Sequence, residues 1–334
     1  MSYWYANNTE GIIVSSRVRL ARNLADLPFP RRMTSDMMKE LTERVKKAVE
    51  EISAELELSL KFIDMDSVPE NEIRAMVERH IISIEFAQNR KGRAIALSQD
   101  ESVSIMIGEE DHLRIQVLKG GMSLDEVYSL ADRIDTALGE RLSFAYDSEL
   151  GYLTECPTNI GTGLRASVML HLPLTEDSND INSIAEAISK IGFTVRGMYG
   201  EGSKSKASLY QISNQITLGI SEKSAIENLK VITGQIAERE ENARKSVDRL
   251  NLEDVIYRAY GIAKYARRMS SEEFMQIASK IKLGKDMGIL NVEKVNPIEL
   301  LILSGAGMIQ SKYGEMSPNE RDESRAEMIR KYLG

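Results

Sequence analysis

The thirteen residues Cys156-Pro157-Thr158-Asn159-Ile160-Gly161-Thr162-Gly163-Leu164-Arg165-Ala166-Ser167-Val168 carry the most specific pattern in this chain. Proline and paired glycines predict an irregular loop, and the apolar residues that follow predict a buried strand over 165–172. An arginine where a glycine-rich turn becomes a strand is unusual for core construction. Glycines there let a polyanion approach the backbone closely. Cys156 is the only cysteine, so neither an internal disulfide nor a Cys-rich zinc site is available. An isolated cysteine is by default a small buried hydrophobe. A positive site beside it would favour the thiolate and let it face a cation.

Further arginines occur in similar settings. Ser15-Ser16-Arg17-Val18-Arg19-Leu20-Ala21-Arg22 lies in an extended stretch, Gly11–Leu20. Strand alternation puts Arg17 and Arg19 on one face, where two guanidinium forks clamp phosphate oxygens. Residues 17–32 hold five arginines and one aspartate; edge-protecting surface charge is the plain alternative. Arg114 follows Glu109-Glu110-Asp111-His112, and Arg196 leads into Gly197-Met198-Tyr199-Gly200-Glu201-Gly202. If these arginines converge, they neutralise a triphosphate without a lysine. The usual nucleotide signatures, G-x-x-x-x-G-K-[ST] and the kinase loops, are missing. The three carboxylates at 109–111 read either as a solvated hairpin tip or as a base for a cationic nucleophile, with Asp111 able to hold Mg²⁺ through water. His112 reads as a structural turn residue, and the three histidines show no metal spacing.

The 334 residues carry a net charge of −8, 42% hydrophobic and 28% charged residues. That is globular composition and argues against a nucleic-acid-coating protein. No apolar run approaches the ~20 residues of a membrane span, and no export signal is visible, so a reducing cytoplasm is expected. Helices are predicted at 34–56, 123–138 (a Ser123/Glu126 capping box), 178–190 and from Ser221 to about Arg249. Strands are predicted at 60–65, 93–97, 103–107, 112–118, 193–199 and 207–213. Beyond 250 the signals are helical: a capping box at Ser270–Glu273 with Gly284 as the stop, and a helix start at Ser317-Pro318-Asn319-Glu320. The expected organisation is an α+β domain over 1–250 and a helical domain over 251–334.

Together these motifs resemble the phosphagen (guanidino) kinase superfamily. Ser15–Asn23, Glu109–Arg114 and Cys156–Val168 stand in the family's order. SVSIMIGEEDHLRIQ at 102–116, RGMYGEG at 196–202 and YQISNQITLG at 210–219 resemble its bacterial protein-arginine kinase branch. The resemblance implies an antiparallel sheet flanked by helices, glutamine-synthetase-like, with ATP and Mg²⁺ as cofactors. It implies a nucleotide site from Ser15, Ser16, Arg17, Val18, Arg19, His80, Arg114, Arg165, Ala166, Ser167, Val168, Met169, Arg196, Gly197, Met198, Tyr199, Gly200 and Glu201. Glu110 is then the catalytic base, with Glu201 assisting and Cys156 beside the guanidinium. His80 matches a family histidine near the nucleotide base.

Three features point to protein arginine as acceptor. Metabolic phosphagen kinases carry a helical domain ahead of the first arginine motif, which here begins at residue 15. Tyr199 replaces the family's usual second arginine. Arg321-Asp322-Glu323-Ser324-Arg325-Ala326 resembles the R-D-x-x-R-A element that binds phosphoarginine and tunes activity. On a helix, Arg321 and Arg325 share a face, suited to a phosphate, with Asp322 for the guanidinium; a surface Asp–Arg pair is the plain alternative. Two departures stand out: Gly108 replaces the usual Asn, and Lys204 replaces a glutamate, so the second carboxylate falls to Glu201. The resemblance also implies a zinc-binding activator protein, a heat-shock repressor and a Clp-type unfoldase–protease as partners in a stress response, and a homodimer. A kinase of a small free guanidino compound and a non-catalytic phosphoarginine-binding regulator are the alternatives.

Overall fold

The computed structural model describes residues 3–7, 9–198 and 206–334. Its centre is an eight-stranded sheet in which every neighbouring pair is antiparallel. The strands are β1 (Ile13–Arg22), β2 (Leu60–Asp64), β3 (Ala94–Ser98), β4 (Val103–Ile107) and β5 (Leu113–Gly120). A small ribbon follows, β6 (Tyr146–Asp147) and β7 (Gly151–Tyr152), and then β8 (Leu164–His171), β9 (Phe193–Gly197) and β10 (Leu209–Asn214). The order across the sheet is β2-β3-β4-β5-β1-β8-β10-β9, so β1 lies in the middle.

The helices of the first part are α1 (Ser35–Glu55), α2 (Glu70–Glu78), α3 (Ile84–Gln88), α4 (Leu124–Gly139), α5 (Pro173–Asp177), α6 (Asp180–Ser189) and α7 (Glu222–Ser246). After a break at 247–248 come α8 (Arg249–Tyr265), α9 (Ser271–Asp286), α10 (Pro297–Leu303), α11 (Ala306–Tyr313) and α12 (Pro318–Leu333). In α1, Leu41, Val45, Ala48, Val49 and Ile52 are buried at helical spacing, and Thr34 caps the start by accepting from Met37 N–H.

Period-two alternation gives the sheet two different faces. Val18, Leu20, Ile105, Ile115, Leu164, Ala166, Val168 and Ile212 form one core with α1, α4, α6 and α7. The opposite face carries Arg17, Arg19, Arg114 and Arg165. One end of that face is covered by α2 and α3 through Met76, Phe86, Ile95 and Met106. The other end meets the N-terminal residues Trp4 and Tyr5 and the helices after residue 250. A gap between the two covers leaves the arginines facing a cavity.

Two local expectations are corrected. Gly284 does not end α9, which runs on to Asp286. A Cβ at Gly284 would stand 2.6 Å from Ile256 Cγ2, so this glycine serves close helix packing; the turn out of the helix falls at Gly288, with φ +66°. Ser123 makes no cap bond to α4. Its hydroxyl donates to Gly120 O and its N–H donates to Ser16 Oγ, so a tertiary contact takes the place of the capping box. The predicted box at Ser317–Glu320 is present in both directions.

Candidate active site

Register places the key side chains. Arg19 of β1 pairs with Arg165 of β8, Arg17 with Ser167, and Ser15 with Met169. Arg114 enters from β5, opposite Ala21. Arg19, Arg114, Arg165 and Arg196 line one cavity of about 700 Å³ together with Glu110, Asp111 and Cys156. Arg19, Arg114, Arg165, Arg196, Glu110 and Cys156 therefore meet around one space, although they lie up to 177 positions apart in the chain.

The site is short of negative charge. Glu109 is committed to Arg114, its two oxygens 2.7 and 2.6 Å from Nη1, and accepts from Ser83 Oγ. Among the described residues Arg17 has only neutral partners, Gln211 Oε1 at 2.7 Å and Ser167 Oγ at 3.4 Å. Burial, then repulsion from Arg114 and Arg165, pulls Arg17 down to about 9. Arg19 is pulled well below the ordinary arginine value by burial and by Arg17, and its Nε is buried without a hydrogen-bond partner among the described residues. Arg165 is lowered by burial and by Arg196 and Arg114, while Cys156 and Glu110 act against that shift. Crowded, desolvated guanidinium groups are stable only with an anion to share. A polyphosphate supplies that charge, with oxygens matched to the forks.

One end of the cavity is built by the β4–β5 turn and the glycine-rich loop. Gly108, at φ +79°, opens the turn, and its N–H donates to His112 O. Glu110 is exposed at the tip. Asp111 is buried and accepts from Asn23 Nδ2 at 2.6 Å and Glu155 N–H at 2.8 Å. It thus ties the turn to the end of β1 and to the segment before Cys156. Burial pushes its carboxyl up to about 6. His112 is structural, as read: its Nδ1 accepts from Leu24 N–H and its Nε2–H donates to Pro28 O. Cys156 Sγ lies 3.0 Å from Thr158 Oγ1. Thr217 clamps the loop by donating to Ile160 O at 2.7 Å and Thr158 O at 3.0 Å.

Other expected residues serve differently. Val18, Ala166 and Val168 point into the helix-side core, because strand parity turns them away from the cavity, so only their backbone adjoins it. Ser16 is buried and donates to Gly121 O. Gly197 ends β9, and Met198 joins the core shared with the C-terminal helices. Arg22 is locked to Asp135 at 2.8 Å on the other face. His80, Arg17, Ser15, Ser167 and Met169 surround a separate small cavity further along β1. Tyr199, Gly200, Glu201, Gly202 and Lys204 lie outside the described residues. Sequence reading missed Arg93, at the entrance to β3, which lines the main cavity with its guanidinium 5.6 Å from the Phe86 ring centre. The cue was Arg90-Lys91-Gly92-Arg93 beside a predicted strand.

On α12, Arg325 is buried and donates to Ser304 O, Met269 O and Asp322 Oδ1 at 2.8, 2.8 and 2.6 Å. Arg321 is only partly buried, and Nη1 makes a long contact to Met316 O at 3.4 Å. Ala326 is core. Among the described residues no cluster of three metal-ligating side chains occurs, and no helix is long and apolar enough to cross a membrane.

An arginine-lined cavity beside a carboxylate on an antiparallel sheet defines a phosphotransferase that acts on a guanidino group. The chain belongs to the ATP:guanido phosphotransferase family: the description "ATP:guanido phosphotransferase, C-terminal catalytic domain" matches residues 40–243. "Protein-arginine kinase McsB C-terminal domain" matches residues 249–334. A protein-arginine kinase of Halothermothrix orenii is 45% identical, covering 100% of this chain and 97% of its own. One of Brevibacillus brevis is 43% identical over 96% of this chain and 92% of its own. Among solved structures, lombricine kinase superposes with TM-score 0.63 at 22% identity, over 72% of this chain and 70% of its own. The substrate-free duplicated taurocyamine kinase of Schistosoma mansoni gives 0.59 at 24%, over 92% and 41%. These two share the fold.

Proposed function

We propose that this protein transfers the γ-phosphoryl group of ATP to arginine side chains of proteins. The observation that carries the reading is the convergence of Arg19, Arg114, Arg165 and Arg196 on one cavity with Glu110 and Cys156. A guanidinium is a poor nucleophile while protonated, its pKa lying above ~12. Glu110 aligns one terminal nitrogen and takes its proton, Glu201 assists, and Cys156 lies beside the guanidinium. The new N–P bond forms as the bond from the γ-phosphorus to the bridging oxygen breaks, and ADP leaves with that electron pair. The arginines carry the charge spread over the moving phosphoryl group, so catalysis is positioning and electrostatics. Mg²⁺ enters as part of MgATP, held by phosphate oxygens and water.

The matches to protein-arginine kinases over the full length favour a protein acceptor over a free guanidino compound. The test is parallel incubation of the enzyme and MgATP with an arginine-rich protein and with free L-arginine. Phosphorylated protein is expected; turnover of free arginine with none on protein would reverse the choice.

A second part of the reading concerns residues 251–334 as a regulatory domain on a catalytic domain of 1–250. Arg321, Asp322, Arg325 and Ala326 form a phosphoarginine pocket that tunes activity, with Arg321 the arm still able to reach a ligand. Titrating activity with free phosphoarginine should alter the wild type and leave Arg321→Ala unmoved. An equal response in both would remove the pocket. By family resemblance, the mark feeds a Clp-type unfoldase–protease in a cytoplasmic stress response, the enzyme works as a homodimer, and its partners include a zinc-binding activator and a heat-shock repressor. Co-purification of these partners is the check on that wider assignment.

A further inference from the structure

The nucleotide's direction in the site follows from strand register. Glu110 and the acceptor stand at the end of β1 near Arg22 and Asn23, where Asp111 is clasped. In-line transfer puts the leaving diphosphate on the far side of the moving group from the acceptor. The nucleotide therefore runs back along β1, from Arg19 past Arg17 to Ser15. Four residues of strand give on the order of 13 Å, comparable with the reach of an extended nucleoside triphosphate.

At the end of that path lies a second, nearly closed cavity of about 10 Å³, lined among others by Arg17, His80, Met169 and Trp4. It holds no more than a water molecule. Trp4 is the chain's only tryptophan, and it is 4% exposed. Its ring centre is 5.8 Å from that of His80, and its Nε1–H donates to Arg79 O. His80 has φ +61°, a left-handed conformation rare for a side-chain-bearing residue and concentrated at ligand sites. Gln116 Nε2 braces it by donating to His80 O at 2.8 Å. Among the described residues, Arg17 is a cation with no carboxylate partner beside this aromatic pair. Phosphate on one side of Arg17 and an aromatic ring on the other match the two halves of a nucleotide.

Resting on the phosphotransferase reading above, we infer that Trp4 is a wall of the purine subsite and sets the preference for an adenine nucleotide. The N-terminal Tyr3-Trp4-Tyr5 segment then acts as a strap over the base. Tyr5 stays anchored in the core shared with the C-terminal helices. Met169 is unbranched and swings readily, and the Trp4 ring turns to lie against the purine face.

Because the chain has one tryptophan, the unmodified protein reports on this directly. ADP and ATP should change Trp4 emission, half-maximally at the nucleotide concentration that half-fills the site in equilibrium dialysis. Inorganic triphosphate should displace ATP from the arginines yet leave the emission unchanged, since it has no base. Trp4→Phe should raise KM for ATP several-fold and leave KM for the protein acceptor alone, whereas a merely structural role would lower the yield of active enzyme with both KM values unmoved. Bound ATP with silent Trp4 emission, or an equal response to triphosphate, overturns the inference and leaves the kinase reading intact. Failure of ATP to bind at all removes both.

Discussion

Glu109, Glu110 and Asp111 are adjacent carboxylates with three different settings. Glu109 neutralises Arg114, Asp111 is buried under hydrogen bonds, and Glu110 alone is exposed. The Asp111 carboxyl is raised from 3.8 to about 6 by burial. Between those pH values the folded protein holds a proton that the unfolded chain has lost. Stability therefore falls as pH rises through this window. Asp111→Asn lacks that dependence. Urea unfolding should show wild type losing about 1–3 kcal/mol relative to Asp111→Asn between pH 4 and 7. Parallel profiles would show that Asp111 titrates normally. The arginines of the site were legible in the sequence because strand parity and neighbouring glycines act locally. Arg93 and the Asn23–Asp111 clasp were not, because each depends on which strand end meets the β4–β5 turn.

The glycine-rich loop shows what an element contributes. Gly161 has φ +114°, and a Cβ there would lie 2.2 Å from Thr217 O, within the clamp that holds the loop against the segment after β10. Gly161→Ala combines backbone strain with a backbone collision. It should cost about 2–4 kcal/mol and raise KM for ATP as Arg165 loses its place. Unchanged thermal unfolding and unchanged KM would contradict the close approach. The strands and most helices were readable from apolar period. Gly284 misled because a glycine that permits helix packing looks, in sequence, like one that ends a helix. Ser123 misled because its hydroxyl and N–H bond the end of β5 and Ser16 of β1 rather than its own helix.

Across the whole molecule, the helices after residue 250 share a core with the sheet. Trp4, Val14, Met169 and Leu209 pack with Phe274, Ile281 and Ile329. A buried ionic group crosses the same boundary. Lys282 Nζ is 3.0 Å from Asp286 Oδ2 and donates to Thr9 O, while Arg244 sits 3.7 Å from Asp286 and 3.4 Å from Glu240. Asp286 also accepts from Gly11 N–H, just before β1. Lys282→Met leaves that boundary with an uncompensated carboxylate and should cost about 3–5 kcal/mol, measured by urea unfolding. A loss below about 1 kcal/mol would mean the pair is readily hydrated. No local pattern announces such a network, since its members come from residues 9 to 286.

On the proposed function, the clustered guanidinium groups deliver a phosphoryl group to arginine with Glu110 as base. The most direct measurement maps the phosphorylated residue by mass spectrometry after incubating wild type and Glu110→Gln with MgATP and an arginine-rich protein. Acid-labile, base-tolerant phosphate on arginine nitrogen is expected, with a loss of about 10²–10⁴-fold in rate for Glu110→Gln and ATP binding retained. Phosphate on serine or tyrosine, or a fully active Glu110→Gln, would contradict it.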